Sequence, residues 1–208
     1  MKKKGLYRDF FLFFDITIML FILAALSIFV WLKGDTWILA IYFFLGLVAY
    51  MFTEYATHRF FFHLKAPKNQ LFLKLLKRLH YDHHKDPNDL KLLFLPIWYT
   101  LPNLVIAAGV FYLIESTLTG AFSFLMGNIV MLLIYEWKHY VAHRPIKPIT
   151  KFGVWVKKLH LLHHFKNENY WYGVSTPIVD ILFGTLKDEK EVQTSKTVKD
   201  LEKREKSL

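Results

Sequence analysis

The 208-residue chain contains no cysteine. This absence excludes disulfide bonds, thiolate zinc sites and cysteine-ligated iron–sulfur clusters, so electrons for any redox reaction have to come from another molecule. Acidic residues are also scarce, with 17 Asp and Glu against 27 Lys and Arg. Since 54% of the residues are hydrophobic despite a formal net charge of +10, the composition indicates apolar segments separated by basic ones, as in a polytopic membrane protein.

Four apolar runs approach the length of about 20 residues that a membrane-spanning helix needs. We predict spans at about 10–32, 37–52, 92–114 and 121–135. The second and fourth runs are short, but a helical pattern can continue beyond them, through His58 and through His139. Pro96 and Pro102 predict a bend in the third run. Short connectors join the runs in pairs, which predicts an all-α fold with four transmembrane helices in two hairpins.

The distribution of Lys and Arg predicts the topology. Four lie in the N-terminal segment, eight in 53–91 and fourteen after Tyr135, whereas the connectors inside the two hairpins contain one, Lys33. By the positive-inside rule, both termini and the 53–91 segment face the cytoplasm. The first apolar run is long for a signal peptide and lacks a cleavage site, so we interpret it as a retained span. Topology then explains the basic charge, and we predict no nucleic-acid partner.

All ten histidines lie in four short windows, which the predicted topology places on the cytoplasmic side. The windows contain His58 and His63; His80, His83 and His84; His139 and His143; and His160, His163 and His164. The second half repeats the first at an offset of 80 or 81 residues, and "KRLHYDHH" matches "KKLHLLHH". Two equivalent halves, neither of which completes a site alone, predict one shared centre of pseudo-twofold character.

The spacing of the histidines suits metal binding. Positions i, i+3 and i+4 of an α-helix share a face, so each H-x-x-H-H triplet can converge, and so can His139 with His143. His58 and His63 are about 140° apart on a straight helix, so the chain has to bend or end near His63. Since an octahedral metal takes about six ligands, ten imidazoles predict two metal ions. Hydrogen-bonded structural histidines are the alternative, but the duplication of the pattern favours metal.

The four motifs "HRFFFH", "HYDHH", "HYVAH" and "HLLHH" resemble the histidine boxes of the fatty acid hydroxylase/sterol desaturase superfamily of integral-membrane dimetal oxygenases. The resemblance runs from about Glu54 to Thr185. Within the superfamily, "EYATHRFFFH", "HHKDPNDLKLLFLP" and "YWYGVSTPIVDILFGT" look most like the fatty acid 2-hydroxylase branch. Sterol or lipid desaturases and carotenoid hydroxylases share the boxes and are the alternatives within the superfamily.

The resemblance implies an oxidoreductase that uses O2 and a di-iron centre to hydroxylate a lipid acyl chain, at the 2-position in that branch. All ten histidines are then metal ligands, with no catalytic residue beyond them, and zinc can take the place of iron. Members fused to a cytochrome b5 domain carry extra haem-binding histidines, whereas this chain has none left over. It therefore needs a separate electron donor, either cytochrome b5-like or ferredoxin-like.

Two functions of other classes stay open at this point. A metal transporter would place its ligands near the bilayer midplane, whereas these histidines lie outside the apolar runs. A non-catalytic, zinc-binding membrane protein is the second. Three carboxylates, Glu54, Glu136 and Asp82, are candidates for accepting hydrogen bonds from the imidazole rings. The alternative for Glu54 and Glu136 is pairing with a nearby Lys or Arg. The alternative for Asp82, which points off the shared face of its triplet, is exposure to solvent.

The segment after the last box is the other informative stretch. By resemblance it packs over the metal site, and Tyr170, Trp171, Tyr172 and Asp180 line the lipid entrance; an interfacial aromatic belt is the alternative. We assign residues 1–186 to the membrane domain, with the histidines in a cytoplasmic helical cap. Residues 187–208 are of mixed charge with few apolar side chains, and we expect a solvated tail.

Overall fold

The structure is a computed structural model that describes residues 3–34 and 36–204. These residues form helices with short connections and contain no strand, so the predicted all-α fold is confirmed. The helices are α1 (Lys3–Phe11), α2 (Phe14–Lys33), α3 (Ile38–Ala56), α4 (Gln70–Leu76), α5 (Asp82–Lys85), α6 (Leu90–Leu93), α7 (Ile97–Glu115), α8 (Leu118–His143), α9 (Lys151–Phe165) and α10 (Ile178–Leu182). Two π-helical turns, Thr57–Phe62 and Lys77–Tyr81, and a 3-10 turn, Leu201–Lys203, complete the described elements.

Four helical stretches are long and apolar enough to cross a membrane. They are Phe14–Lys33, Ile38–Phe62, Leu90–Glu115 and Leu118–His143. The predicted number of spans is therefore confirmed, and the second and fourth continue beyond the apolar runs, as their helical pattern indicated. The pairing of the spans into hairpins and the cytoplasmic position of the histidine cap stay predictions.

The start of the first span differs from the prediction, and the third run is interrupted at one of the two prolines that predicted a bend. The first span begins at Phe14 rather than at residue 10, because Phe13 has an extended backbone that separates it from α1. The third run is divided, since α6 ends at Leu93 and α7 begins at Ile97, with Pro96 extended between them. The residue before a proline avoids the α conformation, which explains why the chain leaves the helix here.

The chain divides into two compact units. Unit 1 contains Met1–Met51 and Leu95–Trp137, and unit 2 contains Phe52–Phe94 and Lys138–Leu208. Among the four spans, α8 is the most enclosed, because 56% of its apolar window is buried within the protein against 17% in each of the others. The exposed apolar side chains of the other three spans are what lipid contact requires.

Two glycines in unit 1 set the distance between α3 and α8. A Cβ on Gly46 would lie 2.0 Å from the carbonyl oxygen of Phe124, and a Cβ on Gly127 would lie 2.0 Å from that of Phe43. Small residues let the backbones of membrane helices approach closely, which is how such helices pack without a hydrophobic driving force. A larger side chain at either position would separate α3 from α8.

The C-terminal residues pack against the rest of unit 2. Val192, Val198 and Leu201 are buried, and Leu201 packs with Leu76 and Tyr81. The expectation of a solvated tail is therefore wrong for residues 187–204, because three apolar side chains among the charges are enough to dock it. Residues 205–208 of the predicted tail lie outside the described part of the chain, and the domain boundary at residue 186 stays a prediction.

Candidate metal centre

The ten histidines form two clusters in unit 2. The first cluster contains His58, His63, His80, His84 and His163, and the second cluster contains His83, His139, His143, His160 and His164. Within each cluster, one ring nitrogen of every histidine lies within 4.8 Å of the others. All are buried except the half-buried His143. The folded chain thus sorts its histidines into two sets of five converging ring nitrogens.

The two halves of the sequence exchange one histidine. Each cluster takes four histidines from one half and the middle histidine of the H-x-x-H-H triplet from the other half, namely His163 in the first cluster and His83 in the second. These two residues are equivalent in the repeat, at an offset of 80. The triplets therefore divide between two sites instead of converging on one. This reciprocal exchange gives the centre the shared, pseudo-twofold character that the repeat predicted.

A π-helical turn brings His58 and His63 together despite their five-residue spacing. Thr57–Phe62 is π-helical, and the N–H of His63 donates to the carbonyl of His58 at 3.2 Å. This i→i+5 bond aligns the two residues, much as the α-helix aligns His139 and His143 at i and i+4. The predicted departure from a straight helix near His63 is therefore correct. The first half has one residue more between its paired histidines than the second, and the π-helical turn accommodates it.

The Nε2 atoms of the first cluster converge. His80 Nε2 lies 3.2 Å from His58 Nε2, 2.9 Å from His63 Nε2 and 3.0 Å from His84 Nε2. His163 Nε2 lies 3.0 Å from His63 Nε2. In the second cluster, two pairs of Nε2 atoms are equally close, His139 with His83 at 2.8 Å and His143 with His160 at 2.9 Å.

Three imidazoles of the first cluster are oriented by backbone carbonyls. The acceptors are the carbonyl of Tyr172 for His58 Nδ1 (2.5 Å), of Tyr170 for His163 Nδ1 (2.8 Å) and of Val198 for His84 Nδ1 (2.8 Å). A carbonyl oxygen can only accept, so Nδ1 carries the proton in each ring and Nε2 of the neutral ring presents a lone pair. Lone pairs that face one another in a buried cluster repel unless a cation lies between them.

Burial keeps these imidazoles neutral. Burial, followed by the charge of neighbouring rings, lowers the pKa of His63, His80, His83, His160 and His164 well below the ordinary value of 6.5. It lowers the pKa of His84 to about 3. Because a metal binds the neutral ring, the histidines are in the binding form at neutral pH.

The donor set fits metal ions. Five imidazole nitrogens suit iron, zinc or copper, and they leave one position of an octahedral ion open for another ligand. His164 adds a direct indication, because its buried Nε2 has no hydrogen-bond partner among the described residues. A buried polar nitrogen without a partner is costly, and coordination of a metal would satisfy it. The clusters can therefore hold metal, at one ion each.

A family model for fatty acid hydroxylases matches residues 43–185, a stretch that contains all ten histidines. The chain belongs to the fatty acid hydroxylase family. Fatty acid 2-hydroxylase of Homo sapiens is 34% identical over 154 residues, which are 71% of this chain and 40% of the human protein. Dihydroceramide fatty acyl 2-hydroxylase FAH1 of Arabidopsis thaliana is 34% identical over 152 residues, 70% of this chain and 60% of the plant protein. The chain thus spans about half the length of these relatives.

A solved structure shares the fold of this fatty acid hydroxylase family member. It is full-length scs7p, of which only the hydroxylase domain is visible. The two structures align with a TM-score of 0.69 over 87% of this chain and 66% of that one, at 24% sequence identity. This chain therefore shares its all-helical fold with that hydroxylase domain.

Glu54 acts on the histidine clusters indirectly, through the loop that follows the last histidine box. Its Oε1 accepts from the N–H groups of Val174 and Ser175, at 2.7 and 2.8 Å, and it bonds no imidazole in the described structure. We predicted that Glu54 accepts a hydrogen bond from an imidazole ring, whereas its described hydrogen bonds come from backbone N–H groups. Glu54 holds the loop whose Tyr172 carbonyl orients His58.

Asp180 holds the same loop from its other side. Its carboxylate is buried and accepts from the N–H groups of Tyr172 (2.8 Å) and Gly173 (2.7 Å) and from the hydroxyl of Thr185 (2.7 Å). Burial raises the pKa of Asp180, while these three donors stabilise its charged form. Trp171 is also buried and donates its indole N–H to a backbone carbonyl.

The ring of Tyr172 packs on the first cluster. Its centroid lies 5.6, 5.3 and 5.4 Å from those of His58, His63 and His163. Of the four candidates for the lipid entrance, Tyr170 is half-buried and Trp171, Tyr172 and Asp180 are buried. The three aromatic residues belong to the loop that orients the first cluster, and Asp180 holds that loop from α10. Their role in lipid entry stays a prediction.

The other two candidate carboxylates have different partners. The Asp82 carboxylate lies 3.9 Å from Lys77 Nζ and its side chain is 35% exposed, and its role beside an imidazole stays a prediction. Glu136 is buried in unit 1, where its Oε1 accepts from the N–H of Leu95 at 3.0 Å. Its action on an imidazole stays a prediction.

Sequence reasoning missed the groups that orient the rings. They are main-chain carbonyls of Tyr170, Tyr172 and Val198, and every residue carries such a group, so no residue type signals them. It also missed Arg204, whose Nη1 donates to the carbonyl of His63 at 2.6 Å. The apolar residues of the C-terminal segment were the one sequence feature that could have indicated that this segment packs against the rest of the protein.

Proposed function

We propose that the chain is a membrane-bound di-iron oxygenase that hydroxylates the acyl chain of a fatty acid or acyl lipid at the 2-position. The observation that carries the proposal is the pair of five-histidine clusters, each completed by the equivalent histidine of the other half. The names of the relatives, fatty acid 2-hydroxylase and dihydroceramide fatty acyl 2-hydroxylase, support the substrate class and the position. The ten clustered histidines are the proposed ligands.

The reaction replaces one C–H bond by C–OH. One O2, two electrons and two protons are consumed, one oxygen atom enters the product and the other leaves as water. Bound iron supplies the activation of O2, because no side chain can attack an unactivated C–H bond. The chain's own residues hold the ions in neutral imidazoles, orient those imidazoles through backbone carbonyls, and keep bulk water out by burial.

Iron is preferred to zinc because the reaction needs a metal that changes its oxidation state. Imidazole alone suits iron, zinc and copper alike, and zinc has no redox chemistry. A zinc-loaded protein would therefore keep its fold and lose its activity. This difference separates the enzyme from a structural zinc protein of the same architecture.

A separate molecule supplies the electrons. The chain has no cysteine for an iron–sulfur cluster, and all ten histidines lie in the two clusters, which leaves none for a haem. We propose a cytochrome b5-like or ferredoxin-like donor. The excess of 27 basic over 17 acidic residues favours association with an acidic partner.

The lipid substrate comes from the bilayer. By the distribution of Lys and Arg, both termini and the metal centre face the cytoplasm. The segment from Tyr170 to Asp180 is the proposed entrance, because its backbone contacts two ligands and the Tyr172 ring packs on the first cluster. An acyl chain that enters past this segment would reach the metals without crossing bulk water.

The test is mass spectrometry of lipids from cells that express the wild-type chain, His84→Ala or His164→Ala, grown under ¹⁸O2 with a donor supplied. We expect a wild-type-only lipid that is heavier by one labelled oxygen, with fragmentation placing it at C2. Glu191→Gln, an exposed position, is the matched control and should behave as wild type. A lipid lighter by two hydrogens would instead indicate desaturation, and unchanged lipids in all four strains, with iron bound, would refute the proposal.

A further inference from the structure

The C-terminal segment 194–204, here called the strap, contacts two ligands of the first cluster. The carbonyl of Val198 accepts from His84 Nδ1 at 2.8 Å. Arg204 Nη1 donates to the carbonyl of His63 at 2.6 Å. The first bond sets the tautomer and rotation of a ring, and the second holds the backbone of a neighbouring ligand. The strap thus acts directly on two of the five histidines.

Buried contacts hold the strap in place at three points along its length. Leu201 is fully buried against Leu76, which precedes the π-helical turn that carries His80, and against Tyr81, the last residue of that turn. The hydroxyl of Thr197 donates to the buried carboxylate of Glu168 at 2.6 Å. Arg204 Nε lies 3.9 Å from the same carboxylate.

Ion pairs connect the strap to the second histidine box. Lys85 Nζ lies 3.1 Å from Asp200 and 3.4 Å from Glu202, and Lys77 Nζ lies 3.1 Å from Glu202. These side chains are 25–37% exposed, so each pair contributes little by itself. Together these ion pairs fix the position of the strap along the segment that contains His80 and His84.

The described hydrogen bonds of the strap do not extend to His83, His143, His160 or His164 of the second cluster. Among the described residues, the Nδ1 atoms of His83, His160 and His164 have no hydrogen-bond partner. The strap therefore distinguishes two clusters that the repeat makes alike. Groups that hydrogen-bond a ligand usually change metal affinity or activity by about 10–100-fold when removed.

We propose that the strap is a positioning element for the metal of the first cluster, through the Val198 carbonyl on His84, and that the two metal sites are consequently unequal. The inference rests on the proposed function only in that each cluster binds a metal ion. Loss of the strap weakens the first site by about 10–100-fold and leaves the second site unchanged.

The experiment measures metal content and affinity of the purified full chain in detergent, loaded with Fe(II) without oxygen and challenged with a chelator. A chain ending at Gln193 lacks the strap, and a chain ending at Arg204 is the matched control. We expect two ions per chain for wild type and control, and about one for the strapless chain. Two ions of unchanged affinity in the strapless chain would overturn the inference, and so would loss of both ions with the helical content retained.

Combination with ligand variants assigns the ion that is lost. In a His164→Ala background, which disables the second cluster, removal of the strap should take the count from one to zero. In a His84→Ala background, it should change nothing. Leu201→Ala keeps the chain length and loosens the strap, so it decides the matter if the shortened chain does not fold: a weaker first site supports the inference, and unchanged affinity overturns it. A wild-type chain that binds no metal would instead refute the proposed function.

Discussion

Acidification will destabilise the metal-free protein, and His84 shows by how much. Burial lowers the pKa of His84 to about 3, whereas the same group in the unfolded chain has the ordinary value of 6.5. Between those two values the unfolded chain binds one more proton than the folded chain, so the stability falls as the pH falls through 6.5 and continues to fall toward 3. At about 1.4 kcal/mol per pH unit, His84 alone costs about 2 kcal/mol between pH 7.5 and 5.

The assay is thermal unfolding of the chelator-treated protein in detergent, followed by circular dichroism at several pH values from 7.5 to 5. The Tm of the wild type should fall as the pH falls. The Tm of His84→Gln should fall less steeply, because the variant lacks one of the groups that take up a proton on unfolding. The other buried imidazoles keep a slope in the variant, because their pKa values are lowered by burial as well. Parallel slopes in the two proteins, or a wild-type Tm that ignores pH, would refute the reasoning.

Two further predictions concern the supporting loop and the topology. Asp180→Asn retains one acceptor oxygen for three donors, so it should weaken metal binding at the first cluster by about 10–100-fold. The control, Asp188→Asn in an exposed turn, should leave the metal affinity unchanged. Equal metal affinity in both variants would contradict this prediction. Since the chain has no cysteine, single cysteines report topology cleanly. An impermeant maleimide should label Thr119→Cys in intact cells and Lys190→Cys only after lysis, and the reverse pattern would invert the proposed orientation.

The features that the sequence predicts well are those carried by side chains in a local pattern. Four apolar runs predict four spans, and two copies of the histidine pattern predict histidine clusters to which both halves contribute. Even the departure from a straight helix near His63 follows from the five-residue spacing. For the spans and the bend near His63, the sequence pattern and the structural feature lie on the same few residues, so these predictions required no knowledge of long-range contacts.

The features that the sequence does not predict depend on contacts between distant segments. Nothing in the sequence of the triplet 80–84 shows that its middle histidine joins the other half, because the i, i+3, i+4 spacing predicts one shared face and only the folded structure separates the three residues. The carbonyl of Val198 is 114 residues from the ring that it orients. The solvated tail was expected because composition was averaged over the segment, whereas docking depends on Leu201 in particular.

The sequence repeat makes the two clusters similar, and the places where the chain departs from the repeat explain why they are not equivalent. The repeat supplies both halves with the same ligands, but the first half inserts one residue and becomes π-helical at His58–His63, while the second stays α-helical at His139–His143. All three ring-to-carbonyl bonds described here serve the first cluster, and their acceptors follow the second histidine repeat in the chain. A segment that occurs once cannot support two equivalent sites equally. The ligands therefore come in matched pairs, while the three described carbonyls that orient rings act on the first cluster, so the two metals are expected to differ in affinity and in their response to the same substitution.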